Sequence, residues 1–184
     1  MHYGNRNSRA IILIGVLVLT LGGCSQIRVR SDFDPGADFS QLRTYAWLPG
    51  MDATNDPRLD SKLLDRRVRE SVDRHLAAKG YRKVDTAPTF HVAYHVYLNR
   101  QTQSFHEPIG PYGYSWWGAR GPVNSYQYDE GSLLVDVIDP GTNVLMWRGS
   151  ATAIIDPRAS VKEREERVDK AVASLLEKFP PQPK

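Results

Sequence analysis

The chain has 184 residues, with 24 basic and 21 acidic side chains and a formal net charge of +3 at pH 7. Two of the basic residues, Arg6 and Arg9, lie in a leader that we expect to be removed, and the remainder has a net charge of only +1. This balance argues against a nucleic-acid-binding protein, whose surface carries a strong basic excess. Cys24 is the only cysteine, which excludes a disulfide within the chain and a cysteine-rich metal site. We therefore predict no nucleic-acid partner, no metal and no cofactor.

Residues 1–23 have the pattern of an export signal. Two arginines precede an apolar stretch over residues 10–21, and Gly22 and Gly23 follow it. Secretory signals combine a basic start with roughly 7–15 apolar residues and a small-residue cleavage site, whereas a membrane-spanning helix needs ~20 apolar residues. The predicted organisation is a signal peptide at 1–23, a lipidated N-terminus and short tether at 24–26, a single periplasmic domain at 27–180 and a tail at 181–184.

Cys24 ends a segment that resembles the bacterial lipobox, with Leu21 three positions before the cysteine and Gly23 directly before it. The resemblance implies that Cys24 becomes the first mature residue and carries acyl chains on its sulfur and its amine. Ser25 stands where an aspartate would favour retention in the inner membrane. We therefore expect an outer-membrane lipoprotein that faces the periplasm.

The first half of the domain contains two short strands and one long helix. Residues 27–33 and 43–48 alternate in hydrophobicity as strands do. A helix is predicted over 57–79, because an Asp-Pro pair can begin it and Gly80 can end it. Its predicted buried stripe consists of Leu64, Val68, Val72 and Leu76.

A strand over residues 89–98 and a hairpin follow. Two further strands, 133–138 and 144–155, flank the turn residues 139–143. Simple antiparallel pairing across this turn places Val137 opposite Leu145, and Val135 opposite Trp147. The predicted apolar face of the hairpin comprises Leu133, Val135, Val137, Leu145, Trp147, Ala151, Ala153 and Ile155.

The last predicted element is a helix that begins with a capping box formed by Ser160 and Glu163. Its buried stripe is Val168, Ala171, Val172, Leu175 and Phe179. Amphipathic helices and alternating strands together indicate an α+β domain. We predict an antiparallel or mixed sheet with two amphipathic helices covering one face.

An aromatic loop rich in glycine and proline, predicted over 105–128, is the best candidate for a functional site. Aromatic rings can grip apolar or sugar surfaces and still form hydrogen bonds, and Tyr and Trp favour the membrane interface. An alternative is that some rings fold back over the core and the rest form a tolerant insertion. The candidate binding residues are Tyr112, Tyr114, Trp116 and Trp117.

Two other pairs of polar residues are candidates for a metal site or a charged site. His91 and His95 would lie ~13 Å apart on a strand, too far to bind one zinc ion. Asp136 and Arg148 are predicted to lie diagonally on the wetter face of the hairpin, as a modest ion pair.

Charged residues flank the aromatic loop. If the two ends of the loop met, His106 and Glu107 could cluster with Asp129 and Glu130 as an acid/base or cation site. Solvated charges beside turns are the simpler interpretation.

Several phrases of the sequence together resemble the DUF4136 family of bacterial lipoproteins. They begin with a phrase that runs from Asp34-Pro35 through Asp38-Phe39 to Thr44-Tyr45-Ala46-Trp47, and they end with Trp147-Arg148-Gly149 and Ala151. Between them lie Ala78-Lys79-Gly80-Tyr81, Pro88 with Phe90, Val92, Ala93 and Tyr94, and Tyr128 to Leu133 with Asp136 and Asp139. The resemblance implies an exported, usually lipidated α+β domain and transfers no catalytic residue.

These patterns predict a non-catalytic binding or structural module of the bacterial envelope, held near the membrane by Cys24, with an envelope protein or glycan as partner. One alternative is a glycan-binding module that stacks sugars on Trp116 or Trp117. A second, on thinner support, is an envelope hydrolase using Asp129, Glu130 or His106.

Overall fold

The computed structural model describes residues 27–49, 61–106 and 123–182. The predicted signal peptide, Cys24 and the four candidate aromatic residues lie outside these ranges. The described elements, in chain order, are β1 (Arg28–Phe33), β2 (Thr44–Trp47), α1 (Ser61–Ala78), β3 (Arg82–Lys83), β4 (Phe90–His106), β5 (Val123–Ile138), β6 (Leu145–Ile154) and α2 (Val161–Leu176).

The strands form one mixed sheet in the order β1-β6-β5-β4-β2-β3. Strand β2 is parallel to both β3 and β4, and the other neighbouring strands are antiparallel. Both helices pack on one face of this sheet and bury a common core with it. The predicted α+β class, with two helices on one face, is therefore confirmed.

The helices bury the faces that the periodicity predicts. In α1, Val68, Val72 and Leu76 are buried, and Gly80 follows the helix with a φ of +89° that favours glycine. The predicted capping box of α2 is present, because the Glu163 amide donates to the Ser160 hydroxyl at 3.3 Å and the Ser160 amide donates to the Glu163 carboxylate at 2.7 Å.

Phe179 lies at the centre of an aromatic core, just beyond the end of α2. Its side chain is fully buried. The neighbouring ring centroids are those of Trp147 at 5.2 Å, Tyr81 at 5.6 Å, Phe90 at 5.9 Å and Phe39 at 6.2 Å. The end of α2 is thereby fixed to the sheet by rings that come from four separate segments.

The predicted register of the β5–β6 hairpin is wrong. Val137 pairs with Trp147, not with Leu145, and Val135 pairs with Gly149. The turn pairs Ile138 with Leu145, one position from the predicted register, and a β-bulge then gives β6 one extra residue, so every later pair is shifted by two. Leu145, predicted to be buried, is 39% exposed.

The predicted loop over 105–128 is wrong at both ends. Strand β4 continues to His106 and β5 begins at Val123, and these two residues pair with each other. The run Gln101-Thr102-Gln103-Ser104 is polar throughout, so hydrophobic periodicity gives no signal for a strand there. Both strands of this extension are held by backbone pairing, which composition does not reveal.

Candidate functional site

The long hairpin of β4 and β5 projects from one end of the sheet. Pairing of β5 with β6 begins at Glu130, opposite Ile154. Beyond that point, residues 100–106 and 123–129 pair with each other, and no third described strand continues beside them. We call these two segments the ribbon. Seven residues of a strand extend ~23 Å, so the ribbon is a long projection for a domain of this size.

The ribbon surface is exposed and nearly free of charge. Arg100 and Asp129 form an ion pair at its base, with the two atoms 3.2 Å apart. Between them and the tip, the sequence has no Lys, Arg, Asp or Glu. Tyr126 is 51% exposed, and its hydroxyl donates to the Gln103 side chain at 2.7 Å. An uncharged two-stranded ribbon lacks the charges that usually discourage pairing with another strand.

The four predicted binding residues belong to the segment that joins the two strands of the ribbon. Tyr112, Tyr114, Trp116 and Trp117 fall within residues 107–122, outside the described part of the chain. The structure places the residues that flank this segment, His106 and Val123, side by side at the ribbon tip.

The proposed cluster of His106 with Asp129 and Glu130 does not form. Asp129 pairs with Arg100, six ladder positions from His106 and therefore ~20 Å away. Glu130 forms an ion pair with Arg28 of β1. The ends of the predicted loop meet, but the extra strand length separates the histidine from both carboxylates. Glu107 lies outside the described residues.

The outer face of the sheet, opposite the helices, carries the Asp136–Arg148 pair. The two residues lie directly opposite each other, not diagonally as predicted, because of the bulge. The guanidinium donates two hydrogen bonds of 2.6 Å to the carboxylate, and Asp136 is only 2% exposed. The hydrogen bonds to Asp136 raise the pKa of Arg148. His95 lies 3.7 Å from the same carboxylate.

Two carboxylates of α1 join it to the sheet and a third joins the two helices, and sequence reasoning missed all three. Asp73 accepts hydrogen bonds from the Tyr45 hydroxyl at 2.8 Å and from the Trp47 indole at 3.0 Å. Asp65 likewise accepts from the Tyr94 hydroxyl at 2.7 Å. Asp169 of α2 joins the two helices. The sequence shows only acidic residues on the predicted solvent-facing side of each helix. This pattern is too common to identify their hydrogen-bond partners.

Asp169 accepts hydrogen bonds from the Ser71 hydroxyl at 2.6 Å and from Arg74 at 2.6 Å, and His75 Nε2 lies 2.9 Å away. The Ser71 hydrogen bond, with further help from Arg74 and His75, lowers the pKa of Asp169 to about 2. A depressed carboxylate pKa stabilises the fold above the unfolded value of 3.8, and that stability is lost as the pH falls towards 2.

We expect Asp169→Asn to lower the free energy of unfolding at pH 7, with the difference from the wild type shrinking between pH 4 and pH 2. Urea unfolding at a series of pH values measures this difference. A difference that stays constant down to pH 2 would show that the Asp169 charge does not contribute.

The start of β1 lies at the base of the ribbon. Arg28 pairs with Thr152 of β6, which in turn pairs with Ser132 of β5. Strands β1 and β5 are both antiparallel to β6, so they run in the same direction. The N-terminal end of β1 therefore lies at the same end of the sheet as the ribbon.

Neither a helix suited to crossing a membrane nor a group of metal ligands is present among the described residues. Within residues 27–49, 61–106 and 123–182, no helix is long and apolar enough to cross a membrane. In the same ranges, no three His, Cys, Asp or Glu side chains are grouped closely enough to hold a metal ion.

The fold and the projecting ribbon define an α+β domain whose two central strands extend beyond the sheet as a hairpin. The chain matches the family described as "Domain of unknown function (DUF4136)" over residues 29–181, and it belongs to this family. Two of the phrases that indicated the family have structural reasons. Tyr45 and Trp47 bind Asp73, and a Cβ at Gly149 would overlap the Trp147 ring.

A PDZ domain protein from Parabacteroides distasonis is similar in structure, with a TM-score of 0.54 and 12% sequence identity. The match covers 86% of this chain and 37% of that chain, so this chain spans little more than a third of that protein. A PelC dodecamer from Paraburkholderia phytofirmans gives a TM-score of 0.45 at 13% identity, covering 82% of this chain and 95% of that chain. The first likeness shows a shared fold alone. A search of curated protein sequences found no match.

Proposed function

We propose that this chain is a lipid-anchored module of the bacterial envelope, attached to the outer membrane through acylated Cys24. Its ribbon serves as a non-catalytic contact element at the bilayer surface. The observation that carries this proposal is the direction of β1, whose N-terminal end lies at the same end of the sheet as the ribbon. An anchor at Cys24 would therefore hold the ribbon end of the domain against the membrane.

The length of the tether strengthens this argument. Three residues lie between Cys24 and Arg28, and the four steps from one Cα to the other reach ~13 Å when fully extended. The ribbon is ~23 Å long. Because the tether is shorter than the ribbon, an anchored domain cannot hold the ribbon clear of the bilayer. The ribbon must tilt onto the surface or enter it.

The chemistry of the ribbon suits this position. Tyrosines favour the membrane interface, and neutral polar side chains avoid the cost that a charge has in the hydrocarbon core. The rings of Tyr126 and Tyr128 pack with their centroids 5.8 Å apart. Tyr126 is exposed and Tyr128 is half-buried. Tyr112, Tyr114, Trp116 and Trp117 add four more interfacial residues to the segment at the ribbon tip. We assign all of these residues to the contact element.

A non-catalytic role is supported by what the described carboxylates do. Asp73, Asp65 and Asp169 each bind side chains of a neighbouring element. Asp136 is buried beneath Arg148. Each of these groups has a structural task that a reacting substrate would disrupt.

The proposal is tested by placing a photo-crosslinking amino acid at Gln127 of the ribbon in living cells. The matched control is the same amino acid at Val144, which is 52% exposed in the turn at the opposite end of the sheet. We expect discrete protein or lipid adducts from Gln127 and none above background from Val144. Equal adduct yields at the two positions would show that the ribbon is not a contact element.

A further inference from the structure

An apolar groove opens between the helices and the sheet at the end where β1 begins. Its volume is about 150 Å³. The lining is mostly aliphatic and comes from both helices, from the middle of β4 and β5 and from the end of β6. Six of its residues are Leu64, Val68, Val96, Leu98, Val168 and Ala171. The groove is open to solvent, and its aliphatic walls and volume of about 150 Å³ suit the end of a hydrocarbon chain.

The rim of this groove exposes two large aliphatic side chains. Ile154 is 59% exposed and Ile155 is 41% exposed. Ile27, three residues after Cys24 in the sequence, also lines the groove. Exposed aliphatic residues around an apolar groove are typical of a surface that contacts lipid or a partner.

A polar cavity of about 280 Å³ adjoins the same strand end. It shares Ala153, Ile154 and Arg167 with the lining of the groove. Its charged residues are two cations, Arg28 and Arg167, and two anions, Glu130 and Asp156. These charges form two surface ion pairs, Arg28 with Glu130 and Arg167 with Asp156 at 3.8 Å. Exposed ion pairs of this kind are weak, so the two charges of a zwitterionic group can exchange with them.

We infer that the groove takes one acyl chain of a bilayer phospholipid, with its zwitterionic headgroup in the adjoining polar cavity. The phosphate would contact the arginines and the ammonium would contact the carboxylates. The acyl chains of Cys24 itself fit less well, because a thioether-linked diacylglycerol carries neither charge. This inference rests on the proposed function, since the anchor brings this end of the domain to the bilayer.

The test uses the full acylated chain reconstituted in phosphatidylethanolamine vesicles. A small fraction of the lipid carries a diazirine at the end of one acyl chain, and adducts are mapped by mass spectrometry after irradiation. We expect adducts concentrated in peptides containing Val96 to Leu98 and Val168 to Ala171. Ala153→Phe, which places a ring in the groove, should reduce these adducts at least tenfold. Val144→Phe, at the opposite end, should leave them unchanged.

Flotation of the vesicles separates this inference from the proposed function. Loss of the chain from floated vesicles would overturn the anchoring proposal and the inference with it. Retention with adducts spread evenly over the domain, or at the Val144 turn as often as in the groove, would overturn the inference alone. Circular dichroism checks that the Ala153→Phe variant is folded. If the variant is unfolded, the distribution of adducts in the unsubstituted chain tests the inference.

Discussion

Replacement of Cys24 by serine is expected to abolish incorporation of a fatty-acid label into this protein. Cells fed an alkyne analogue of palmitate should label the unsubstituted chain, because the thiol accepts the diacylglycerol that begins lipoprotein maturation. Serine has no such thiol, and Cys24 is the only cysteine in the sequence. Stable anchoring of a protein on a bilayer takes at least two lipid signals, so a chain without acylation should also leave the membrane after its leader is removed.

Ser25→Ala is the matched control for this substitution. It changes the neighbouring residue and preserves the thiol, and we expect full labelling. The measurement is click-chemistry detection of the purified protein, with its N-terminal peptide identified by mass spectrometry. Labelling that persists in Cys24→Ser would contradict acylation at this residue and the orientation argument that depends on it.

Phe179→Ala is expected to have the largest effect on stability, about 3–5 kcal/mol of unfolding free energy. The ring is fully buried and contacts rings from the first loop, the segment after α1, β4 and β6. Its removal leaves a cavity that four other aromatic side chains cannot fill without losing their own contacts. The end of α2 would also lose its attachment to the sheet.

Chemical denaturation of the purified domain measures this loss. Val144→Ala, which removes an exposed aliphatic side chain, should change the free energy of unfolding by less than about 0.5 kcal/mol. A loss below about 1 kcal/mol for Phe179→Ala would mean that the aromatic core tolerates the cavity, contrary to the packing around this ring.

Local patterns predicted most of the fold correctly. The stripe of Val68, Val72 and Leu76, the stop at Gly80 and the capping box of Ser160 each depend on residues close together in the chain. The spacing of apolar residues and the backbone preferences of individual residues predict such features, and both can be seen in the sequence.

The register of the last hairpin could not be read in the same way. Asp139 accepts hydrogen bonds from the Gly141 and Thr142 amides, and Asn143 adopts a positive φ of 57°. This turn leads into β6 through a β-bulge, and hydrophobic periodicity does not predict a bulge. The predicted pairing of Val137 with Leu145 was consequently displaced.

The candidate site was only partly accessible from the sequence. The concentration of aromatic residues indicated the segment between β4 and β5, and His106 and Val123 pair with each other at the tip of that hairpin. The ribbon itself was missed, because its polar strands lack an apolar face and are held by backbone hydrogen bonds to each other. The direction of β1 relative to the ribbon depends on which strand β1 pairs with, and that is a tertiary property.

The most direct test of the account is the position of the ribbon relative to the bilayer. Tyr126→Cys, labelled with a nitrobenzoxadiazole fluorophore, reports on the ribbon, and Val144→Cys labelled in the same way reports on the opposite end of the sheet. The acylated chains are reconstituted in vesicles containing phospholipids with doxyl quenchers near the headgroup. We predict strong quenching at position 126 and little at position 144. Equal quenching, or stronger quenching at position 144, would contradict a ribbon held against the membrane.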